Sequence, residues 1–353
     1  MADLTPRELV IRTLRHEPTP RLPRQLWAGK LAETRYPAEL AALRRDYPDD
    51  IRGPDIVLPP VAGMRGDPDA VGTYVDEWGC EFVTLEPFVM GEVKNPPLRD
   101  YAADLDRVRP PWEWVDIDPD PVNRSCAASD AFMLALAPIR PFERMQFLRG
   151  TEALMRDLYR DRANVLKLRD RIHEWACALL ERWVRTDIDG IVWFDDWGTQ
   201  TALLIRPALW RELFKPLYAD YVRIIHAAGK FAFMHSDGYI LDIYEDLIEI
   251  GLDAVNSQLF CMPIETIGQR FAGRITFWGE IDRQHVLAFG TVAETRAAVR
   301  RVAAALYRGR GGVIAQCEFG PGARPDTVRA VFEEWERVGA EWDRHNPAPG
   351  GAA

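Results

Sequence analysis

AAGKFAFMHSDGYI, residues 227–240, carries the reading of the fold. Ala-Ala-Gly closes a helical pattern, with Gly229 placed as a C-terminal cap. The short apolar run KFAFM (230–234) follows, and His235, Ser236, Asp237 and Gly238 stop it. An apolar run without alternation belongs to a strand buried on both faces, as in a parallel sheet covered by helices. Helix, glycine, buried strand and polar loop together make one βα repeat.

The same unit recurs along the chain. FMLALAP (132–138), GIVWF (190–194), LDAVN (252–256), ITFWG (275–279) and GVIAQ (312–316) are short apolar runs. Between them lie segments with readable helix ends. Thr151 caps TEALMRDLYRD, Pro207 sits in the first turn of PALWREL, Gly251 is a second C-terminal cap, and TVAE (291–294) has capping-box spacing. Pro216 breaks the helix that contains it. Strand–helix alternation with connections this long means βα units.

RQLWA (24–28) supplies a first strand and the 55–85 region a second, with DIVLPP (55–60) its first candidate, which brings the count to eight. The expectation is one (β/α)8 barrel of the TIM type over residues 1–340, with an N-terminal helical and irregular extension. Thr5 and Pro6 open a helix to about His16. DEWGCEFVTL (76–85) suggests strands in an excursion, Leu105 to Arg124 an irregular connection, and residues 341–353, with NPAPGGAA, a disordered tail. A doubly wound open sheet is the alternative topology. No Gly-rich dinucleotide fingerprint or Walker-type loop follows any strand, which weighs against it.

Composition narrows the function classes. The 353 residues are 47% hydrophobic, enough for a substantial core and too many for a disordered chain. Acidic residues (54) outnumber Lys plus Arg (44) and the two are interspersed, so nucleic acid is not an expected partner. No 18-residue apolar run exists, and MADLTPRELVIRTLRHE is a charged helix rather than a signal peptide, so no membrane partner is expected. Five widely spaced cysteines without a CxxC pair fit free thiols in a reducing cytoplasm. The oligomeric state stays open, a homodimer included.

In a barrel, the loops after the strands surround one mouth. Asp195, Asp196, Trp197 and Gln200 follow GIVWF; His235 and Asp237 follow KFAFM; Asn256 and Gln258 follow LDAV; Glu280 follows ITFWG; Cys317, Glu318 and Phe319 follow GVIAQ. His235, Asp237, Glu280 and Cys317 together resemble the donor set of a borderline-soft ion such as zinc, with His235, Glu280 and Cys317 as the expected ligands. Asp195, Asp196 and Asp237 are candidate acid or base groups. Trp27, Trp197, Gln200, Asn256, Gln258, Trp278 and Phe319 are candidates to line a substrate pocket. The bland alternative weighs against each: a hydrogen-bonded structural histidine, a core cysteine, a capping carboxylate, core aromatics.

LRGTEALMRDLYRD, DDWGTQTALLIRPALWRELFKPLY, AAGKFAFMHSDGYI, LIEIGLDAVN, ITFWGEIDRQHVLAFGT and GGVIAQCEFGPGA cover most of residues 148–335. In that order they resemble the uroporphyrinogen decarboxylase superfamily, and within it the methyltransferase-like branch. The resemblance implies the (β/α)8 barrel and a site at its C-terminal mouth. It implies two chemistries. The decarboxylases work without metal, through an N-terminal arginine-rich motif and a catalytic aspartate. Arg24 and Gln25 resemble the start of that motif and Asp55 the aspartate, but the next expected arginine is missing. The zinc-dependent relatives move methyl groups between corrinoid proteins and thiols, using a His-x-Cys pair and a later Cys. His235 and Cys317 match the first and last of these, Asp237 replaces the middle Cys, and Glu280 is a candidate replacement ligand. The resemblance therefore implies a zinc methyltransferase, with a metal-free carboxy-lyase as the alternative. The chain has no Asp-x-His-x-x-Gly corrinoid sequence, so a corrinoid would come on a separate protein, or a folate or thiol would accept the methyl group.

Overall fold

A computed structural model describes residues 4–345; of the expected tail 341–353, residues 341–345 instead continue the helix Pro325–His345, and NPAPGGAA (346–353) lies outside the described residues. Among the described residues eleven strands follow in chain order: β1 (Arg24–Ala28), β2 (Ile51–Arg52), β3 (Gly72–Val75), β4 (Glu81–Thr84), β5 (Glu92–Val93), β6 (Phe132–Leu136), β7 (Gly190–Phe194), β8 (Phe231–Ser236), β9 (Ala254–Ser257), β10 (Thr276–Trp278) and β11 (Val313–Phe319). Eight of them form one parallel sheet in the order β1-β11-β10-β9-β8-β7-β6-β2. Two aspartates close the remaining seam. Asp50 donates its N–H to the Arg24 carbonyl at 2.9 Å, and the Asp49 carboxylate accepts from the Leu26 N–H at 2.6 Å. The result is a (β/α)8 barrel with helices outside. Among the described residues no helix is long and apolar enough to cross a membrane.

Strand alternation divides the apolar residues into two cores. Ile51, Phe132, Leu134, Val192, Phe233, Ala254, Trp278 and Ile314 pack inside the barrel. Their chain neighbours Met133, Ala135, Ile191, Trp193, Ala232, Met234, Val255, Phe277, Val313 and Ala315 pack between sheet and helices. Successive residues of a strand point to opposite faces, so this parity decides which strand-end groups reach the mouth.

Helix ends follow their sequence signals. Thr5 and Thr291 each close a capping box with Glu8 and Glu294. Gly229 and Gly251 end their helices at φ +72° and +87°, a conformation that glycine adopts at no steric cost. Pro216 lies in the first turn of Lys215–Ala227, after the preceding helix has stopped at Leu213. Three expectations are corrected. DIVLPP is not a strand; β2 is the two-residue Ile51–Arg52, and Gly53-Pro54 ends it. The 105–124 connection contains a regular helix, Pro119–Ala127, capped by Asp118. Gly150, not Thr151, caps Thr151–Arg160. The excursion between β2 and β6 carries the antiparallel sheet β3-β4-β5.

Candidate active site at the barrel mouth

The inward positions of β7 and β8 bring a compact cluster together. His235 pairs in register with Phe194 on β7 and Asn256 on β9. Its Nδ1 lies 2.6 Å from Asn256 Oδ1, while Asn256 Nδ2 donates to the Trp278 carbonyl and to Gln316. The amide therefore fixes the ring and directs Nε2 to the mouth. There Asp237 Oδ1 is 3.3 Å and Asp196 Oδ1 3.7 Å from Nε2. One donor atom from each of Asp196, His235 and Asp237 lies within 4.8 Å of the others. Asp237 Oδ1 is buried and has no aligned hydrogen-bond donor. Trp27 closes the floor, 5.6 Å from the imidazole and 5.0 Å from Trp278; both indole N–H groups donate to Gln25 Oε1.

Arg283 ties the next turn of the mouth together. Its guanidinium donates to Asp237 and to Glu318, and lies 3.9 Å from Glu280. Burial pushes the Glu280 carboxyl up to about 8 despite Arg283, with Asp237 and Glu318 adding repulsion. Glu143, in the helix Pro141–Arg149, is raised to about 7 by burial and by Asp196. Burial alone would lower His235, but Asp237, Asp196 and Asn256 outweigh it and lift the imidazole to about 9. Without a metal, His235 is an imidazolium between carboxylates. A cleft of about 910 Å³ opens above, lined by Asp237, Arg283, Glu318, Gln200 and apolar Met90 and Phe289.

Parity separates the expected site residues. Asp196, His235, Asp237, Asn256, Trp27, Trp278 and Glu280 face inward or stand at the mouth. Asp195, Trp197, Cys317 and Phe319 do not, and these expectations are corrected. Asp195 is fully buried on the helix side, where it accepts the N–H groups of Phe142 (3.0 Å) and Glu143 (2.9 Å) and the Tyr218 hydroxyl. It caps the helix Pro141–Arg149; the helix N-terminus and the Tyr218 hydroxyl favour its carboxylate, but burial outweighs them and raises it to about 8. Trp197 stacks on Phe142 at 4.1 Å and donates to Tyr218. Cys317, with Leu26, belongs to the outer core; burial pushes its thiol far above the usual range, and no strand register turns it to His235. Phe319 stacks on Tyr36. Gln258 accepts the Gly238 N–H at 2.7 Å and so holds a loop, while Gln200 is exposed at the rim. Arg24, at the start of β1, pairs with Glu336 at the far end of the barrel, and Asp55 is exposed. Neither supports the decarboxylase-type motif.

Arg283, Glu318, Glu143 and Phe194 were not singled out from sequence. Glu318 carries the signal for inward placement, two residues after the inward Gln316; Arg283 and Glu143 lie in loop and helix, where no strand parity points to them.

A parallel eight-stranded barrel with an imidazole–carboxylate cluster at the C-terminal ends of its strands defines a (β/α)8 protein with its polar site at the mouth. Residues 134–338 match the family described as uroporphyrinogen decarboxylase (URO-D), and the chain belongs to that family. Among solved structures, a methyltransferase from Methanosarcina mazei superposes with TM-score 0.68 at 14% identity, covering 95% of this chain and 99% of that one. At that identity the likeness shows the fold. A 3-keto-D-glucoside 4-epimerase from E. coli overlaps 64% of this chain and 85% of its own, at 12% identity and TM-score 0.37. No protein with a curated description matches the sequence.

Proposed function

We propose that this chain is a metal-dependent methyltransferase, with a divalent ion, zinc first, held by Asp196, His235 and Asp237. The observation that carries the reading is the convergence of these three donors on one point, with Asp237 Oδ1 buried, 3.3 Å from His235 Nε2 and without an aligned hydrogen-bond donor. An imidazole and two carboxylates suit zinc and its first-row neighbours. A bound ion would supply Lewis acidity, lowering the cost of forming a thiolate or a departing alkoxide.

The chain's own residues prepare that site. Asn256 holds the His235 ring, the outer-shell contact that metal-ligating histidines use. Arg283 restrains Asp237 through its second oxygen, so that Oδ1 faces His235 Nε2. Burial makes the Glu280 carboxyl hold its proton more tightly than usual, which suits it to hand that proton to a departing oxygen at the mouth. The exposed cleft above the cluster would receive the methyl carrier, which on this reading is a corrinoid bound to a separate protein. The fold of the Methanosarcina methyltransferase supports the class of reaction.

A second reading, a metal-free carboxy-lyase, is favoured by the raised affinity of His235 for its proton. An imidazolium in this position would protonate a carbanion left by decarboxylation. Elemental analysis of protein purified without chelators separates the two. The expected result is about one zinc per chain, lost in His235→Ala and Asp237→Asn and kept in Cys317→Ser, with methyl transfer from methylcobalamin to a thiol following the metal. Wild type that takes up no metal even when zinc is supplied overturns the first reading.

A further inference from the structure

Beside the mouth, between the excursion sheet and the helix Pro141–Arg149, lies a second cavity of about 410 Å³. This volume is in the range that takes small ligands. Its wall is aromatic: Tyr74 and Phe82 stack at 4.8 Å with 9° between their planes, and Phe147 meets Phe82 edge-on at 5.1 Å. Met90 lines both this cavity and the mouth cleft, so the two spaces share a border.

The charges facing the cavity are unequal in their commitments. Arg144 is buried and held by Asp76 and Glu77. Arg65 pairs with Glu81 at 3.3 Å. Arg140 is different. Among the described residues its guanidinium makes no hydrogen bond within the chain, and the carboxylate it pairs with, Glu143, lies 3.7 Å away. Its charge is felt by Glu143 and Asp196 on the mouth side and by Tyr74 and Glu77 on the cavity side. A guanidinium presents five donors in a rigid fork and fits a carboxylate with two parallel bonds. Here that fork, with one loose ion pair and no hydrogen bond among the described residues, lines an aromatic pocket.

We propose that this cavity is a ligand subsite for a flat apolar molecule bearing one anionic oxygen group, with the ring among Tyr74, Phe82 and Phe147 and the anion on Arg140. The proposal rests on the mouth being the reacting site, because the anionic end then lies at the border of the Asp196–His235–Asp237 cluster. Arg140 is the specificity-determining residue: a neutral isostere leaves its donors facing a group that cannot answer them.

Benzoate and benzamide offer the same ring with and without the charge. Each is titrated into the full-length chain and followed by tryptophan fluorescence and calorimetry. Benzoate is expected to bind about 10-fold or more tightly than benzamide, in keeping with a bidentate charged pair. Arg140→Gln should abolish that preference with benzamide affinity unchanged, and Phe147→Ala should weaken both ligands. Equal affinities in wild type, a preference that survives Arg140→Gln, or no binding of either compound overturns the subsite. Zinc titration of Arg140→Gln, with a thermal melt to check its fold, should still reach one ion per chain, since Arg140 is not one of the three donors. Absence of zinc from every variant while the benzoate preference stands would overturn the metal reading and leave the subsite intact.

Discussion

Adjacent carboxylates Asp195 and Asp196 point to opposite sides of the barrel wall, because an extended chain alternates its side chains. Asp196 meets His235 in the mouth, and Asp195 caps a helix behind it. Removing each has a different outcome. Asp195→Ala strands two N–H groups and the Tyr218 hydroxyl in a buried place, a loss of roughly 2–4 kcal/mol in stability. Urea unfolding should show that loss, while zinc affinity, measured on the folded protein, stays within about threefold of wild type, since Asp195 donates nothing to the cluster. Asp196→Asn should leave the midpoint nearly unchanged and weaken zinc about 10-fold or more. The same alternation explains why the sequence placed the right residue types at the strand ends yet misassigned some of them. Strands buried on both faces have no polar–apolar rhythm, so GIVWF and GVIAQ do not say which of two neighbours looks inward. Cys317 and Glu318, or Trp197 and Asp196, exchange roles with a shift of one residue.

Two loops that leave neighbouring strands hold the cluster together at glycine. Gly198, after β7, and Gly238, after β8, touch backbone to backbone: a Cβ on Gly198 would lie 2.2 Å from the Tyr239 nitrogen and 2.4 Å from the Gly238 carbonyl carbon. Gly198 donates its N–H to the Asp237 carbonyl at 3.1 Å, Tyr239 donates to Thr199 at 2.8 Å, and Asp237 donates to Asp196 Oδ1 at 2.8 Å. This contact sets the spacing of Asp196 and Asp237. Gly198→Ala must push the loops apart, so it should reduce stability by about 1–3 kcal/mol and weaken zinc at the same time. A paired readout of melting temperature and zinc affinity checks it; a loss of stability with full zinc affinity would show that the loops do not set the ligand spacing. Legibility at this scale depended on length. Helices with caps and five-residue strands were readable, because Gly229, Thr291 and Pro207 act locally. β2 was not, since two residues carry no pattern and its place comes from Asp49 and Asp50 closing the barrel against β1.

The barrel as a whole buries carboxyl groups at both its seam and its mouth, and this gives stability a direction in pH. Burial, the leading cause in each case, raises Asp49 to about 6, Glu143 to about 7, and Asp195 and Glu280 to about 8. A group whose proton is held more tightly in the folded state lends stability that is complete below its unfolded value, near 4, and is lost as pH rises through the folded one. Carboxylates shifted the other way, such as Glu265 with its Arg301 partner, work in the acid window, where their stabilisation falls away as they protonate. Between those limits the buried acids decide. Unfolding free energy from urea titrations should therefore peak near pH 4–5 and fall on the way to pH 8.5. Glu280→Gln removes one titrating group and keeps its shape, so it should flatten the decline and leave the variant more stable than wild type at pH 8.5, by on the order of 2 kcal/mol. On the metal reading zinc should oppose the same decline, because it would bind the folded mouth in its deprotonated form and add stability with concentration. A wild-type curve that is level from pH 5.5 to 8.5, matched by Glu280→Gln, would mean that water or rearrangement relieves the buried charge, and that the mouth holds its acids ionised without help from a cation.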